Sequence, residues 1–512
     1  MSRSFGEDSK AFREESKPYE KNYEACNTAQ DDEAVVDGEV AASISIPSSI
    51  PSNEDEVEVR VPSTAEIPED RAEIRKRIIN LALPALAEMT LMTLVSMADM
   101  IMVGRLGPWA ITAVGLSNQP MFVAMSVFMS LNVGATALVA RAIGARKPEE
   151  AFKVARQALV IASVMGAVLA VLGVVFAEQI LAIMGAEPDA LIPGTAYLRI
   201  VSAGLMFQGA TFSLGASLRG AGDTKTPMSV NMVANLVNLV GNYLLIFGHL
   251  GFPRLEVVGA AVPTLISRFV GFALIMRKVF GHRGAIKMSV TDSFAYDKET
   301  VNRIFKIGLP AALEQLVMRS GQMLFARIVS SFGTVTYAAH QVALNVEGLS
   351  FSPPQAFQTA ATALTGQSLG AKKPDAAMRV GKEARFIGIC MAAITGSILF
   401  FLGRYVVQLY TDDPTVIERS AYVLKIIAFA QPFMATNFVL AGALRGAGDT
   451  KWTLYITMAG IWGVRIVVAY FLALKMGMGL TGAWIAMALD MTTRAILVNM
   501  RFAVGHWTKI NV

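Results

Sequence analysis

The chain has 512 residues, 54% of them hydrophobic, with a mean hydropathy of +0.48, more apolar sequence than a soluble protein of this length needs. Its net charge of +5 hides an asymmetry: residues 1–70 carry 18 acidic against 6 basic side chains, so the remainder carries +17. So basic a remainder often signals nucleic acid, but here the charges sit in short connections between apolar runs. Cys26 and Cys390 give neither a disulfide framework nor a metal-ligand spacing.

Residues 1–70 are rich in Glu, Asp, Ser and Pro and poor in aromatics, and cannot bury enough surface to offset their ordering entropy; they read as a disordered acidic cytoplasmic tail. No short apolar core of a cleavable signal interrupts them. Beyond them come apolar runs near the ~20 residues that cross a bilayer as a helix. Six centre in 78–103, 113–140, 157–178, 195–218, 227–249 and 258–277. Six more centre in 304–328, 335–366, 386–408, 420–444, 452–473 and 480–500. Residues 278–303 read as a cytoplasmic linker between an N-lobe, 71–277, and a C-lobe, 304–505. Connections after even-numbered spans are crowded with Lys and Arg, among them Arg146, Lys147, Lys372 and Lys373. By the positive-inside rule these loops and both termini are expected to be cytoplasmic, in a multi-pass membrane protein.

The halves are copies. LRGAGDTK occurs at Leu218–Lys225 and again at Leu444–Lys451, an offset of 226. Leu83-Pro84-Ala85, Glu88, Ala135-Thr136-Ala137-Leu138 and Gly144-Ala145 recur at the same offset. Six spans per half is even, so both copies enter from one side and the repeats are parallel. The expected fold is an all-α membrane protein of twelve transmembrane helices in two pseudo-symmetric six-helix lobes, an architecture that points first to a transporter. Within LRGAGDTK, Arg219 or Arg445 ends a helix, glycines make the turn, and Asp223 or Asp449 caps the next helix. The string lacks the spacing of a phosphate loop, and the GxGxxG match at Gly477–Gly482 follows no strand.

Ionisable groups inside a bilayer are costly and mark partners or pathways. Asp99 lies near the outer end of the first span, where a cation-binding role and a pairing with Arg105 both stand open. Asn238 and Asn242 are four apart on one helical face of the fifth span, and Thr264 on the sixth points toward the same interior. A carboxylate, two amide oxygens and a hydroxyl form a hard-oxygen set suited to a small cation; a helix-packing network is the competing reading. At the repeat offset, Asn238 and Asn242 become Val464 and Val468, and Asp99 becomes Phe325. The second half has its own charges: Glu314, twin of Glu88, suggests a shared packing role, Asp490 and Arg494 are spaced to pair, and Glu347 is a candidate for the central cavity. The 27 Met and 27 Phe supply adaptable apolar walls for such a cavity. Nothing resembles a nucleophile–base pair or cofactor motif, so an enzyme is not expected.

Asp99 with Val103-Gly104 and Leu106-Gly107, the duplicated L-R-G-x-G-D segments, Asn238 and Asn242 before Phe247-Gly248, and Gly259-Ala260-Ala261 before Thr264 together resemble the multidrug and toxic compound extrusion (MATE) family over residues 75–505. The resemblance implies two lobes around a central cavity, alternating access, and export of small organic compounds, amphipathic cations by default, in exchange for Na⁺ or H⁺. It implies no other cofactor, no nucleic-acid partner and no obligate protein partner. The implied cation-coupling residues are Asp99, Asn238, Asn242 and Thr264, with Glu314 and Glu347 offered to the substrate cavity. Met318 and Met434 stand where NorM-type members carry C-lobe acids, so the chain looks closer to the DinF-type branch. A lipid-linked oligosaccharide flippase of the same superfamily is the alternative.

Overall fold

The structure, a computed structural model, describes residues 70–185, 188–281, 285–289 and 292–510. The tail expected over 1–70 lies, but for Asp70, outside the described residues. The first half comprises α1 (Arg71–Gly104), α2 (Pro108–Gly144), α3 (Pro148–Val175), α4 (Ala177–Ile183), α5 (Pro188–Ala203), α6 (Leu205–Gly220), α7 (Lys225–Phe247) and α8 (Val258–Phe280). The second comprises α9 (Lys298–Ser330), α10 (Thr334–Gly348), α11 (Ser352–Gly370), α12 (Pro374–Gln408), α13 (Pro414–Gly446), α14 (Thr450–Met458), α15 (Val467–Ala469) and α16 (Gly479–Val504). No strand occurs among the described residues.

The offset of 226 recurs in three dimensions. Pro108 and Gly144 bound α2 as Thr334 and Gly370 bound α10 and α11; α3 and α12 begin at Pro148 and Pro374; α6 and α13 end at Gly220 and Gly446. Thr136 Oγ1 donates to the Ala216 carbonyl at 3.0 Å, and its twin Thr362 to that of Gly442 at 2.9 Å. Both LRGAGDTK turns close alike, Asp223 N donating to Leu218 O and Asp449 N to Leu444 O, with Gly222 and Gly448 at positive φ. Their carboxylates then diverge. Asp223 caps α7 through Thr226 N at 2.9 Å, whereas Asp449 makes no cap and accepts from Arg501 Nε at 2.9 Å.

Among the described residues eight helices are long and apolar enough to cross a membrane, and nine if α5 and α6, bent by 44° at Gly204, count as one span. The span expected at 452–473 runs from Thr450 to Lys475 through α14, α15 and two π-helical stretches, Ala459–Ile466 and Tyr470–Lys475. Three more segments complete the twelve: α9, α10 with α11, and α16. These are more polar or interrupted: α9 carries Glu314, Arg319 and Arg327, α16 carries Asp490 and Arg494, and α10 and α11 are separated by a turn of 3₁₀ helix at Leu349–Phe351 before Pro353-Pro354. The helical ends also reduce the expected linker to residues between Phe280 and Lys298.

The lobes interlock at the end that bears the basic loops. Ile74, Ile78, Leu81 and Ala85 of α1 join the buried cluster formed by α11, α12 and α13, while Ile304 and Ile307 of α9 join that of α2, α3 and α6. Each lobe thus takes the first half of the other's leading helix. Small residues permit the crossing: a Cβ at Gly144 would lie 2.0 Å from Gln367 O, and one at Gly370 2.0 Å from Arg141 O. Charge reinforces it, with Arg75 on Glu383 at 2.6 Å, Arg303 on Glu150 at 2.8 Å and Lys153 on Asp297 at 2.9 Å. Asp297 also caps α9, accepting from Thr300 N at 3.1 Å. Hydrogen bonds from the Thr300 hydroxyl, from Lys153 and from the Thr300 amide together hold its carboxyl down at about 2.

Candidate functional site

Asp99 sits near the far end of α1, beyond the stretch that packs into the opposite lobe. α7 and α8 approach closely beside it: a Cβ on Gly241 would lie 2.7 Å from Pro263, and one on Gly259 2.4 Å from Leu245 O. That proximity brings Asn238 and Asn242 of α7 against Thr264 of α8, and all four expected residues line one cavity of about 330 Å³. Asn242 Nδ2 donates to Asp99 Oδ1 at 2.8 Å. With the Asn238 amide turned nitrogen toward α1, Nδ2 donates to Asp99 Oδ2 at 3.1 Å and Oδ1 lies 3.1 Å from Thr264 Oγ1. Asn238 is 6% exposed and Asn242 1%, so these bonds form away from bulk water. Among the described residues no ion pair joins Arg105 to Asp99, whose carboxylate accepts from Asn242 instead.

Two features bear on whether the set fits a cation. Asn242 Oδ1 is buried without a hydrogen-bond partner among the described residues, next to a carboxylate. A buried acceptor left open costs about 1–3 kcal/mol unless something electropositive meets it. No group of three or more His, Cys, Asp or Glu able to hold a metal ion occurs among the described residues. One carboxylate among neutral oxygens suits a monovalent ion or a proton better than a divalent metal.

The sequence reading missed several contributors to this cavity. Tyr197 of α5, Gln208 of α6 and Arg268 of α8 also line it, and Arg268 Nη1 donates to Val201 O at 2.5 Å. A signal for Arg268 was present: at the offset of 226 it becomes Arg494, and Thr264 becomes Asp490. In the C-lobe those twins form a closed charge cluster. Asp490, 0% exposed, accepts from Arg494 Nε at 2.8 Å and Nη2 at 2.9 Å, and from Arg465 Nε at 2.9 Å. Arg465 lies in the Ala459–Ile466 π-helical stretch, and its guanidinium also lies over Phe325, the twin of Asp99, at 5.7 Å. Where the N-lobe holds an open acceptor set, the C-lobe holds tethered guanidinium cations.

Glu314 and Glu347 are not brought to the Asp99 set. Glu314 Oε1 accepts from Arg445 Nη2 at 2.7 Å and Thr457 Oγ1 at 2.9 Å, and Oε2 from Thr453 at 3.0 Å. Its twin Glu88 accepts from Asn231, the twin of Thr457, at 2.5 Å and lies 3.5 Å from Arg219, the twin of Arg445. Glu314 nevertheless lines a second cavity, of about 520 Å³, on the C-lobe side of the cleft, together with Met318. Glu347 is 1% exposed, its Oε1 without a partner among the described residues.

Comparisons with known proteins agree with the architecture. The MatE family model matches twice, at residues 84–244 and 310–471, one match in each repeat. The chain is 34% identical to the probable multidrug resistance protein NorM of Thermotoga maritima over 443 residues, covering 86% of this chain and 95% of that protein. It is 29% identical to the multidrug resistance protein PmpM of Pseudomonas aeruginosa over 450 residues, 85% of this chain and 92% of that one. A solved outward-facing multidrug resistance MATE family transporter superposes with a TM-score of 0.79 at 24% identity, covering 84% of this chain and 96% of that one. With a repeat-by-repeat family match and near end-to-end relatives, the chain belongs to the MatE family of multidrug and toxic compound extrusion transporters.

Proposed function

We propose that this transporter is a secondary active antiporter of the inner membrane that exports organic compounds in exchange for Na⁺ or H⁺ by alternating access, with both termini cytoplasmic. The observation that carries the reading is the N-lobe set: Asp99, Asn238, Asn242 and Thr264 converge on one cavity, and Asn242 Oδ1 is buried without a partner. An inward-moving cation meets Asp99 and that oxygen. Asn242 cannot titrate, which favours Na⁺; a proton on Asp99 is the other coupling ion the set allows. Binding there changes which α1 geometry is stable, and a ligand shifts an access equilibrium only by such differential affinity. Met318 and Met434 in place of C-lobe acids support the DinF-type branch and leave coupling to the N-lobe.

The second reading, a flippase for a lipid-linked pyrophosphate, draws on the arginines around the C-lobe cavity. Efflux of ethidium from proteoliposomes, with Na⁺ and H⁺ gradients imposed in parallel, tests the first. Flux should follow one gradient and vanish in Asp99→Asn. Full gradient-driven flux by well-expressed Asp99→Asn protein would sink the mechanism.

A further inference from the structure

The C-lobe cavity has a polarity of its own. Three arginines line it, Arg319, Arg445 and Arg494, against one carboxylate, Glu314, which Arg445 already engages. Arg494 commits Nε and Nη2 to Asp490 and leaves Nη1 free of any hydrogen bond among the described residues. Arg445 Nε is buried without a partner among the described residues. Arg319 is exposed to the cleft, and among the described residues its guanidinium has no carboxylate or hydrogen-bond partner, only the Phe122 ring of the opposite lobe at 5.4 Å. Around these cations stand five carboxamides, Gln322 and Asn437 among them, whose side chains make no hydrogen bond within the described protein.

Such a wall repels an organic cation and offers it no open carboxylate. A guanidinium fork instead matches a carboxylate or phosphate in shape and charge, and charge-assisted bonds of this kind are roughly twice as strong as neutral ones. The free amides can then take the neutral polar groups of the same molecule. We propose that the C-lobe cavity is a substrate subsite for an organic anion, a carboxylate or phosphate ester, with Arg319 as its principal ligand and Arg445 and Arg494 behind it. The Phe122 ring over Arg319 makes this a contact between lobes, so an anion held there meets both walls of the cleft. The proposal rests on the transporter reading for its purpose but not for its chemistry.

The test is equilibrium binding to the full chain in detergent, with carboxyfluorescein, 4-methylumbelliferyl phosphate, a prenyl diphosphate in mixed micelles, and ethidium. At least one anion should bind, with its dissociation constant raised about tenfold or more by Arg319→Gln and less by Arg319→Lys, which keeps the charge but loses the fork. Ethidium binding should not weaken. A response confined to the prenyl diphosphate assigns the anion to a lipid; a response to the soluble probes assigns it to a free solute. Arg319 is exposed, so these variants should fold, and an unchanged melting temperature checks that. Absence of binding by all three anions at millimolar concentration, or binding that Arg319→Gln leaves unchanged, overturns the proposal. Proteoliposome flux separates the two readings. Anion binding lost in Arg319→Gln but without gradient-driven flux keeps the site and fails the antiporter; ethidium flux lost in Asp99→Asn with no anion binding does the reverse.

Discussion

Replacing Asp490 with Asn and replacing Asp99 with Asn should have opposite phenotypes, although both remove one carboxylate from the polar centre of a lobe. Asp490 accepts from two arginines and is 0% exposed. The Arg465 side chain is 8% exposed and that of Arg494 10%. Removing the shared carboxylate leaves two guanidinium charges facing each other in a dry lobe, and breaking a buried pair in this way costs about 3–5 kcal/mol. Spread over a lobe of this size, that corresponds to a fall in melting temperature on the order of 10 °C. Asp99 has no arginine partner among the described residues; its hydrogen bonds come from asparagine amides, and an isosteric amide in its place should change stability by ~1 kcal/mol or less. Tryptophan-fluorescence melts in detergent read stability, and vesicle flux reads transport. The expected pattern is a much lower melting temperature for Asp490→Asn, and a near-wild-type melt with no gradient-driven flux for Asp99→Asn. An Asp490→Asn protein that melts with the wild type would refute the structural assignment of Asp490, whatever its transport.

Two other expectations concern the end where the lobes interlock. Gly370→Val should push α11 from α2, since even a Cβ there would lie 2.0 Å from the Arg141 carbonyl; cysteine-accessibility labelling in the Ala371–Lys373 turn should rise several-fold, and unchanged labelling would show that the crossing yields without opening. The clasp at Asp297 should depend on pH in one direction only. Its carboxyl is held at about 2 in the folded protein against ~3.9 unfolded, so its contribution is complete above about pH 4 and lost as pH falls through about 2. A spin-label distance between the exposed Glu149 and Lys306 should hold steady from pH 8 to 4 and lengthen below; lengthening already at pH 6 would point to another group.

The duplication made much of this legible. A constant offset predicted twin turns, twin helix ends and the twin placement of Glu88 and Glu314, and the spacing of Asn238 and Asn242 predicted a shared face toward Thr264. Helix starts were harder. The spans expected from 157 and 386 begin at Pro148 and Pro374, because a proline at the first helical position and the charged turns that follow are helical without being apolar. The exchange of the leading halves of α1 and α9 left no local signal, since a helix that packs on the opposite lobe has the same pattern as one that packs on its own. Nor did anything in Ala459–Ile466 announce a π-helical stretch; it appears where Arg465 reaches Asp490. Arg268 has no acidic neighbour one helical turn away to mark it, whereas its twin Arg494 stands four residues from Asp490.

That twin pair bears on how a duplicated transporter comes to use its halves differently. A coupling site must exist in two occupancies, and the lobe around it must tolerate both. In the C-lobe the positions equivalent to Thr264 and Arg268 carry Asp490 and Arg494, and with Arg465 they form a cluster complete without any diffusing ion. In the N-lobe the equivalent arginine turns instead to the Val201 carbonyl, which on the proposed function leaves Asp99 and the open oxygen of Asn242 for a cation to complete. Helix α1 then joins this variable site to the fixed lobe: its far half carries Asp99, and its near half, from Ile74 to Ala85, is buried among α11, α12 and α13. A change of α1 geometry at Asp99 therefore reaches the opposite lobe through one continuous helix. On the proposed mechanism that is the physical link through which ion occupancy biases the opening of the lobes, and it runs from the half that can change its charge to the half that cannot.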